Sequence, residues 1–278
     1  LLRERVITAV ALFAVLAVTL ALPGPVPFAL LAGAFLSCAM WEWQRITWGP
    51  AVPGKIFVPG VVSALVMAAV LLAILVLGRE ALALVPIAYW LWIASSVVWV
   101  VAVAPMLRGA RADGASRSLV WSLFAWVALI STWTALFAAY QLGLLFLVTL
   151  AAVVWVADIA AYFAGKNFGR RKLAPHISPG KTIEGAIGGV TAAVVLVVVS
   201  AFFPDTFGAA LAHRWGLLGA GLIALVLALL SIVGDLFESL LKRRAGLKDS
   251  SGLLPGHGGV FDRLDALLPV LPLALLLV

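Results

Sequence analysis

Charge is what this sequence has least of. Of its 278 residues only 11% are Asp, Glu, Lys or Arg, against about 25% in a soluble domain. So little charge cannot cover a water-facing surface, and the chain belongs with polytopic membrane proteins. Cysteine is scarcer still: Cys38 stands alone inside an apolar run. That excludes a disulfide within the chain, and the apolar setting disfavours a thiolate. Acidic residues number 12 against 19 Lys and Arg, giving a net charge of +7. Cytoplasmic loops rich in Lys and Arg account for this excess, so no nucleic-acid partner is expected.

What is abundant is apolar, at 64%. A spanning helix needs about 20 mostly apolar residues. Nine runs are candidates: 6–22, 26–43, 56–77, 81–106, 118–139, 142–165, 183–203, 216–241 and 264–278. The expected fold class is therefore all-α, a polytopic integral membrane protein of about nine transmembrane helices. Arg3 and Arg5 before the first run would suit a signal peptide. A second apolar run follows after only "PGPVP" with no convincing cleavage site, so a helical hairpin is the better reading. The chain begins with Leu rather than Met, which fits trimmed first residues. The last run is short for a span. It suits a tilted helix, one partly outside the membrane, or a chain that continues.

With a cytoplasmic N-terminus and nine alternating helices, all of the 19 Lys and Arg except Arg79 and Arg214 fall on the inside. That asymmetry fixes the expected orientation. It places both long polar loops, 166–182 and 242–263, in the cytoplasm. Residues 1–140 read as scaffold helices with lipid contacts, and 141–278 as the region that carries both polar loops. Trp41, Trp43 and Trp48 near a cytoplasmic helix end read as interface anchors. Trp126 and Trp133 share a helix face and read as core. His176 and His213 read as loop residues.

An ionisable side chain at membrane depth is costly and marks function by default. Asp158 lies well inside the sixth run, with Tyr162 one turn on and Gly165 and Gly169 continuing its face. A plain contact with Tyr162 or a loop lysine is the alternative. After it come Lys166, Arg170, Arg171 and Lys172, then "SPGKT". This is not a Walker A loop: Pro175 stands where glycine is needed, and a membrane helix precedes it instead of a strand. Ser178, Lys181 and Thr182 nevertheless sit before a helix start, which favours an anion. Capping by Ser178 or Thr182, with Glu184 in the first turn, is compatible with that.

In "SIVGDLFESLLKRR" the residues Asp235, Glu238, Ser239 and Lys242 line one helix face. Glu238 and Lys242 suit an i,i+4 pair. Asp235 has no local partner, and needs a metal, a distant Lys or Arg, or water. Asp262 and Asp265 open the final run, behind the flexible "LPGHGG". Mg²⁺ uses one or two carboxylates plus substrate phosphates, so Asp235 and Asp262 could share one ion. Lys242, Arg243, Lys248 and Arg263 would neutralise a polyphosphate. His257 suits a phosphate or leaving group, or a backbone-bonded loop position. An intramembrane Asp pair also suits an ion-coupled transporter.

Residues 239–265, "SLLKRRAGLKDSSGLLPGHGGVFDRLD", resemble the signature of phosphatidate cytidylyltransferases, also called CDP-diacylglycerol synthases. Ser239, Lys242-Arg243, Lys248-Asp249, Pro255, His257-Gly258-Gly259, Asp262-Arg263 and Asp265 fill the pattern. "DIAAYFAGKNFG", "ISPGKTIEG" and "GDLFES" agree with it as well. The resemblance implies transfer of the cytidylyl group of CTP to phosphatidate, giving CDP-diacylglycerol and pyrophosphate. It implies Mg²⁺, a second cation such as K⁺, and a homodimer. Asp235 and Asp262 become the metal-binding carboxylates, and Lys248 a third catalytic residue. Ser178, Lys181, Thr182, Ser239, Lys242, Arg243, His257 and Arg263 are expected to bind substrate. Asp158, Glu184, Glu238, Asp249 and Asp265 support them. The expected location is the cytoplasmic inner membrane, with the site facing the cytoplasm. A CDP-archaeol synthase acting on an ether lipid is the nearest alternative.

Overall fold

The computed structural model describes residues 2–48, 57–77, 84–114 and 117–278, excluding the side chains of 2–5 and 84–85. Lys55 and Arg79 lie outside the described residues, as do the side chains of Arg3 and Arg5. The elements are α1 Leu2–Ala21, α2 Val26–Thr47, α3 Val58–Leu77, α4 Leu84–Val97, a π-helical stretch Val98–Val103 and α5 Ala104–Leu107. Then come α6 Leu119–Leu142, α7 Leu144–Phe168, β1 Lys172–Ala174, β2 Ser178–Thr182 and α8 Ile183–Ser200. Last are α9 Phe207–Arg244, α10 Phe261–Leu264 and α11 Leu267–Leu277.

Helix dominates because backbone N–H and C=O groups in hydrocarbon must be satisfied within their own segment. Among the described residues 7 helices are long and apolar enough to cross a membrane. This is a polytopic integral membrane protein of all-α class. The first and last of the nine expected spans are the short ones. The apolar part of α1 is Val6–Ala21, and α11 has 11 residues. At 1.5 Å per residue α11 rises only about 16 Å, roughly half a bilayer core.

The chain divides into two compact units. The first holds Leu1–Leu91, Asp113–Phe137 and Leu241–Leu264; the second holds Trp92–Ala112, Ala138–Leu240 and Asp265–Val278.

In the first unit α2 is the organising helix. Gly33, Leu36, Met40, Trp43 and Thr47 are buried along it, a stripe at three- and four-residue spacing. Hydrogen bonds pin it to α6: Trp133 Nε1 donates to the Ala29 carbonyl at 2.9 Å, and Gln44 Nε2 to the Ser122 carbonyl at 2.9 Å. Thr47 Oγ1 and Ser122 Oγ lie 2.7 Å apart. Each such bond between membrane helices adds about 0.6 kcal/mol, so the set matters more than any member. Trp43 corrects the interface-anchor expectation. It is fully buried, stacked on Phe261 at 4.7 Å and edge-on to Phe124 at 6.1 Å. Trp41 and Trp48 instead carry the guanidinium groups of Arg45 and Arg117 over their rings. Trp133 is core as expected, and Trp126 is half-buried.

In the second unit α7 and α8 touch through small residues. Gly185, Gly188 and Gly189 face Ala161, Ala164 and Ala157 closely enough that a Cβ on Gly189 would fall 2.6 Å from the Ala157 carbonyl. Gly165 joins this contact, as its spacing predicts, whereas Gly169 ends α7 as its C-cap. The loop after α7 is a small antiparallel hairpin with Lys172 opposite Thr182 and Ala174 opposite Ser178. It sets the entry to α8. Helix α9 is two helices joined across a kink at Gly216, whose φ of 69° and ψ of 171° are non-helical. The span read from 216 starts at that kink, and His213 lies in the helical stretch before it rather than in a loop.

Thr182 is the N-cap of α8, its Oγ1 accepting the Gly185 N–H at 3.1 Å. Thr182→Ala should cost about 1 kcal/mol. The measurement is the thermal midpoint of purified protein, expected to fall by a few degrees. An unchanged midpoint would mean that the hairpin, not the cap, sets this helix start.

Candidate active site

The polar residues form two groups, one in each unit. In the second unit, hairpin and helix converge on an acid. β2 carries Lys181 to the level of Asp235 on α9, and the ammonium donates to Asp235 Oδ2. Ser239, one turn on, donates to Asp235 Oδ1 at 3.3 Å. Asp158 of α7 stands within electrostatic reach of both Asp235 and Lys181. The distant partner that Asp235 requires is thus Lys181. Tyr162, a possible partner of Asp158, points out at 62% exposure.

Glu184 does something more local. It accepts the backbone N–H groups of Arg170 at 3.0 Å and Arg171 at 3.2 Å, and the Arg171 side chain at 3.3 Å. It locks the loop to the helix start. Of the expected phosphate contacts in this segment, Thr182 is committed to capping and Lys181 to Asp235. Ser178 lies half-exposed on β2, opposite Ala174. Glu238 is buried.

The first unit holds the second group. Lys242 donates to Asp262 Oδ1 at 2.5 Å, with both side chains largely buried at 11% and 8% exposure. Asp262 Oδ2 is taken up by its own loop: it accepts the Gly259 N–H at 2.7 Å, the Ser250 N–H at 3.0 Å and Ser250 Oγ at 3.0 Å. Arg263 reaches back to the His257 carbonyl through Nε at 3.2 Å and Nη2 at 2.5 Å. His257 donates its own N–H to the Leu254 carbonyl, so it is backbone-bonded. Its Nδ1 is nevertheless buried with no hydrogen-bond partner among the described residues, an unused acceptor or donor in a polar loop. Arg243 donates to the Leu247 carbonyl at 3.3 Å. Lys248 and Asp249 are exposed. Asp265, which belongs to the second unit, accepts the Ala266 N–H at 2.8 Å and is buried.

The residues that the sequence reading missed lie under this loop. Glu42 of α2 is fully buried. Its Oε2 accepts the Phe261 N–H at 2.6 Å and Ser250 Oγ at 3.1 Å. Its Oε1 accepts the Val260 N–H at 3.1 Å and the Ser251 hydroxyl. A lone Glu in the apolar "CAMWEWQRI" was the available signal, masked by the two tryptophans beside it. The same contacts explain the glycines. At Gly259 a Cβ would lie 1.9 Å from Ser250 Oγ and 2.5 Å from Glu42 Oε1. At Gly258, with φ of +81°, it would lie 2.7 Å from Asp262 Oδ2. The close approach expected of a ligand is first an approach to the protein's own carboxylates.

The donor set suits a hard cation. Asp235 and Asp262 offer carboxylate oxygens, and in each case an ammonium already holds one of those oxygens. Among the described residues no group of three or more His, Cys, Asp or Glu is placed to hold a metal. Mg²⁺ asks for less, one or two carboxylates with substrate phosphates completing the shell, so Asp235 in its unit and Asp262 in its own each offer a fitting ligand.

A helical membrane protein with one half-buried and one largely buried aspartate, each held by a lysine, and further basic residues around them, is built to handle phosphate in a lipid setting. The chain belongs to the cytidylyltransferase family, whose model matches residues 3–278. It is 37% identical to a phosphatidate cytidylyltransferase of Pseudomonas aeruginosa over 272 residues, covering 98% of this chain and 95% of that one. Shorter matches reach 45% identity over 130 residues of the Haemophilus influenzae phosphatidate cytidylyltransferase, 47% of this chain and 44% of that protein. A Brucella suis protein of the same name matches at 50% over 127 residues, 45% of this chain and 43% of its own length. The transporter reading of the intramembrane aspartates gives way to an enzyme.

Proposed function

We propose that this chain transfers the cytidylyl group of CTP to phosphatidate, forming CDP-diacylglycerol and releasing pyrophosphate. The observation that carries this is the near full-length match, in both directions, to a protein of that name. In the reaction a phosphate oxygen of phosphatidate attacks the α-phosphorus of CTP in line. One P–O bond forms there, and the bond to the bridging α–β oxygen breaks, its electrons leaving with pyrophosphate. The attacking oxygen is already an anion near neutral pH, so no strong general base is needed. The obstacle is bringing two polyanions together, and positioning with charge stabilisation overcomes it.

Asp235 and Asp262 are the proposed ligands of Mg²⁺, which when bound supplies charge neutralisation on the transferring phosphoryl group. Lys181 and Lys242, now holding those carboxylates, are the cations nearest to hand for phosphate oxygens. Lys248, Arg243 and Arg263 add positive charge, and Ser178, Ser239 and His257 add polar contacts. Acyl chains would lie against the apolar helices. The site is proposed to face the cytoplasm of the inner membrane, which the distribution of basic residues favours, and the protein to act as a homodimer with a second cation such as K⁺.

Purified protein given phosphatidate, [³²P]CTP labelled at the α position and Mg²⁺ should yield labelled CDP-diacylglycerol and one pyrophosphate per lipid. Ether-lipid phosphate in place of phosphatidate tests the archaeol alternative directly. EDTA should abolish turnover, and excess Mg²⁺ should restore it. Full turnover in EDTA would remove the metal from the reaction and leave the lysines to do its work.

A further inference from the structure

We propose that Glu42 is a positioning residue for cytidylyl transfer: it holds residues 250–261 in the shape that keeps Asp262 Oδ1 turned to its cationic partner. The role rests on Asp262 being a ligand of the bound cation, as proposed above.

The two oxygens of Asp262 have different work. Oδ2 is used up by the loop, with Gly259 N–H, Ser250 N–H and Ser250 Oγ within 3.0 Å. Oδ1 faces the Lys242 ammonium and takes only the longer share of the Ser250 N–H, at 3.3 Å. Which oxygen faces the cation is therefore decided by where the loop puts Ser250 and Gly259. Glu42 decides that. It grips the loop at its beginning through Ser250 and Ser251, and at its end through Val260 and Phe261. Phe261 is also clamped by the ring of Trp43, the neighbour of Glu42 on α2. Ser250 Oγ lies between the two carboxylates, and its single proton serves one of them at a time. The positions of Glu42 and Asp262 are thus tied through one hydroxyl.

A buried carboxylate is an expensive way to fix a loop unless its full acceptor capacity is used. Here each oxygen takes one backbone N–H, Oε1 also takes the Ser251 hydroxyl, and Oε2 shares the Ser250 hydroxyl with Asp262. A glutamine cannot do this. Whichever way its amide is turned, the NH₂ faces the N–H of Val260 or of Phe261, donor against donor. Serine hydroxyls can rotate to accept; backbone N–H groups cannot. Glu42→Gln therefore keeps the volume and removes one of the two N–H contacts that hold the end of the loop.

The test uses the full chain in detergent or nanodiscs. Glu42→Gln and Ser251→Ala are compared with the parent and with Asp262→Asn in three measurements: thermal midpoint, hydrogen exchange of residues 249–264, and pyrophosphate release against Mg²⁺ concentration. Glu42→Gln should raise exchange in 250–261. It should increase the Mg²⁺ needed for half-maximal rate about tenfold, with a smaller fall in kcat at saturating Mg²⁺. Ser251→Ala should move both readouts in the same direction by a few fold, and it carries the test if Glu42→Gln lowers the midpoint steeply. A fall in kcat with no change in Mg²⁺ dependence or in exchange would overturn the proposal, as would parent-like behaviour of Ser251→Ala in a folded protein. Parent-like turnover in Asp262→Asn would instead overturn the metal assignment, while the exchange result would still report whether Glu42 holds the loop.

Discussion

Asp262→Asn should lower turnover by about a hundred- to thousandfold, the cost of removing one preorganised electrostatic partner from a charge-developing step, while leaving the protein folded and inserted. The geometry separates these two outcomes. Asparagine can keep its carbonyl oxygen on the Oδ2 side, where Gly259 and Ser250 donate, so the loop retains its backbone contacts. Its NH₂ then faces the Lys242 ammonium, where the carboxylate oxygen had accepted. The substitution removes one negative charge and sets a donor against a donor at the point that would receive the cation. Pyrophosphate release under saturating CTP and phosphatidate measures the loss, and the thermal midpoint checks the fold. A rate within tenfold of the parent would show that Asp262 is a loop residue alone.

Asp235→Asn should be of comparable size for a different reason. Asp235 is one member of an acid–lysine–acid set with Lys181 and Asp158. Neutralising it leaves Lys181 with Asp158 as its remaining acidic neighbour of the three. Lys181→Met does the reverse, leaving the two acids without the ammonium that offsets both. The pair of variants should therefore separate. Asp235→Asn lowers kcat about a hundredfold or more, whereas Lys181→Met raises the KM for CTP about tenfold with a smaller change in kcat, since it removes a cation available to phosphate. Identical kinetic defects in the two would mean that the ion pair acts as a structural strut.

The chemistry of this site was legible because the lipid setting makes polar residues rare. Asp235, Asp262 and the basic run 242–244 stand out against an apolar background, and the signature around them has fixed spacing. What could not be read was partnership across the chain. Lys181 and Asp235 are 54 residues apart, and only folding reveals that β2 delivers one to the other. The hairpin itself hid inside a segment read as loop, because three and five residues of strand carry almost no periodic signal. Helix α2 shows the opposite failure. Trp41 and Trp43 differ by two positions, which on a helix means different faces, one edged by Arg45 and one buried on Phe261. Treating the tryptophans as one belt concealed both the core stripe and the glutamate within it.

The grip of Glu42 on the loop has a consequence for how this sequence can be divided. The signature that identifies the family lies at residues 239–265, yet four of its donors, on Ser250, Ser251, Val260 and Phe261, end on a side chain near residue 40. A fragment beginning after the first helices would carry every recognisable motif and none of the acceptor that shapes it. The signature is therefore not a portable cassette. Transplanted between relatives it must travel with its matching helix, and chimaeras joined between α2 and the loop should succeed only when both sides of this contact come from compatible parents.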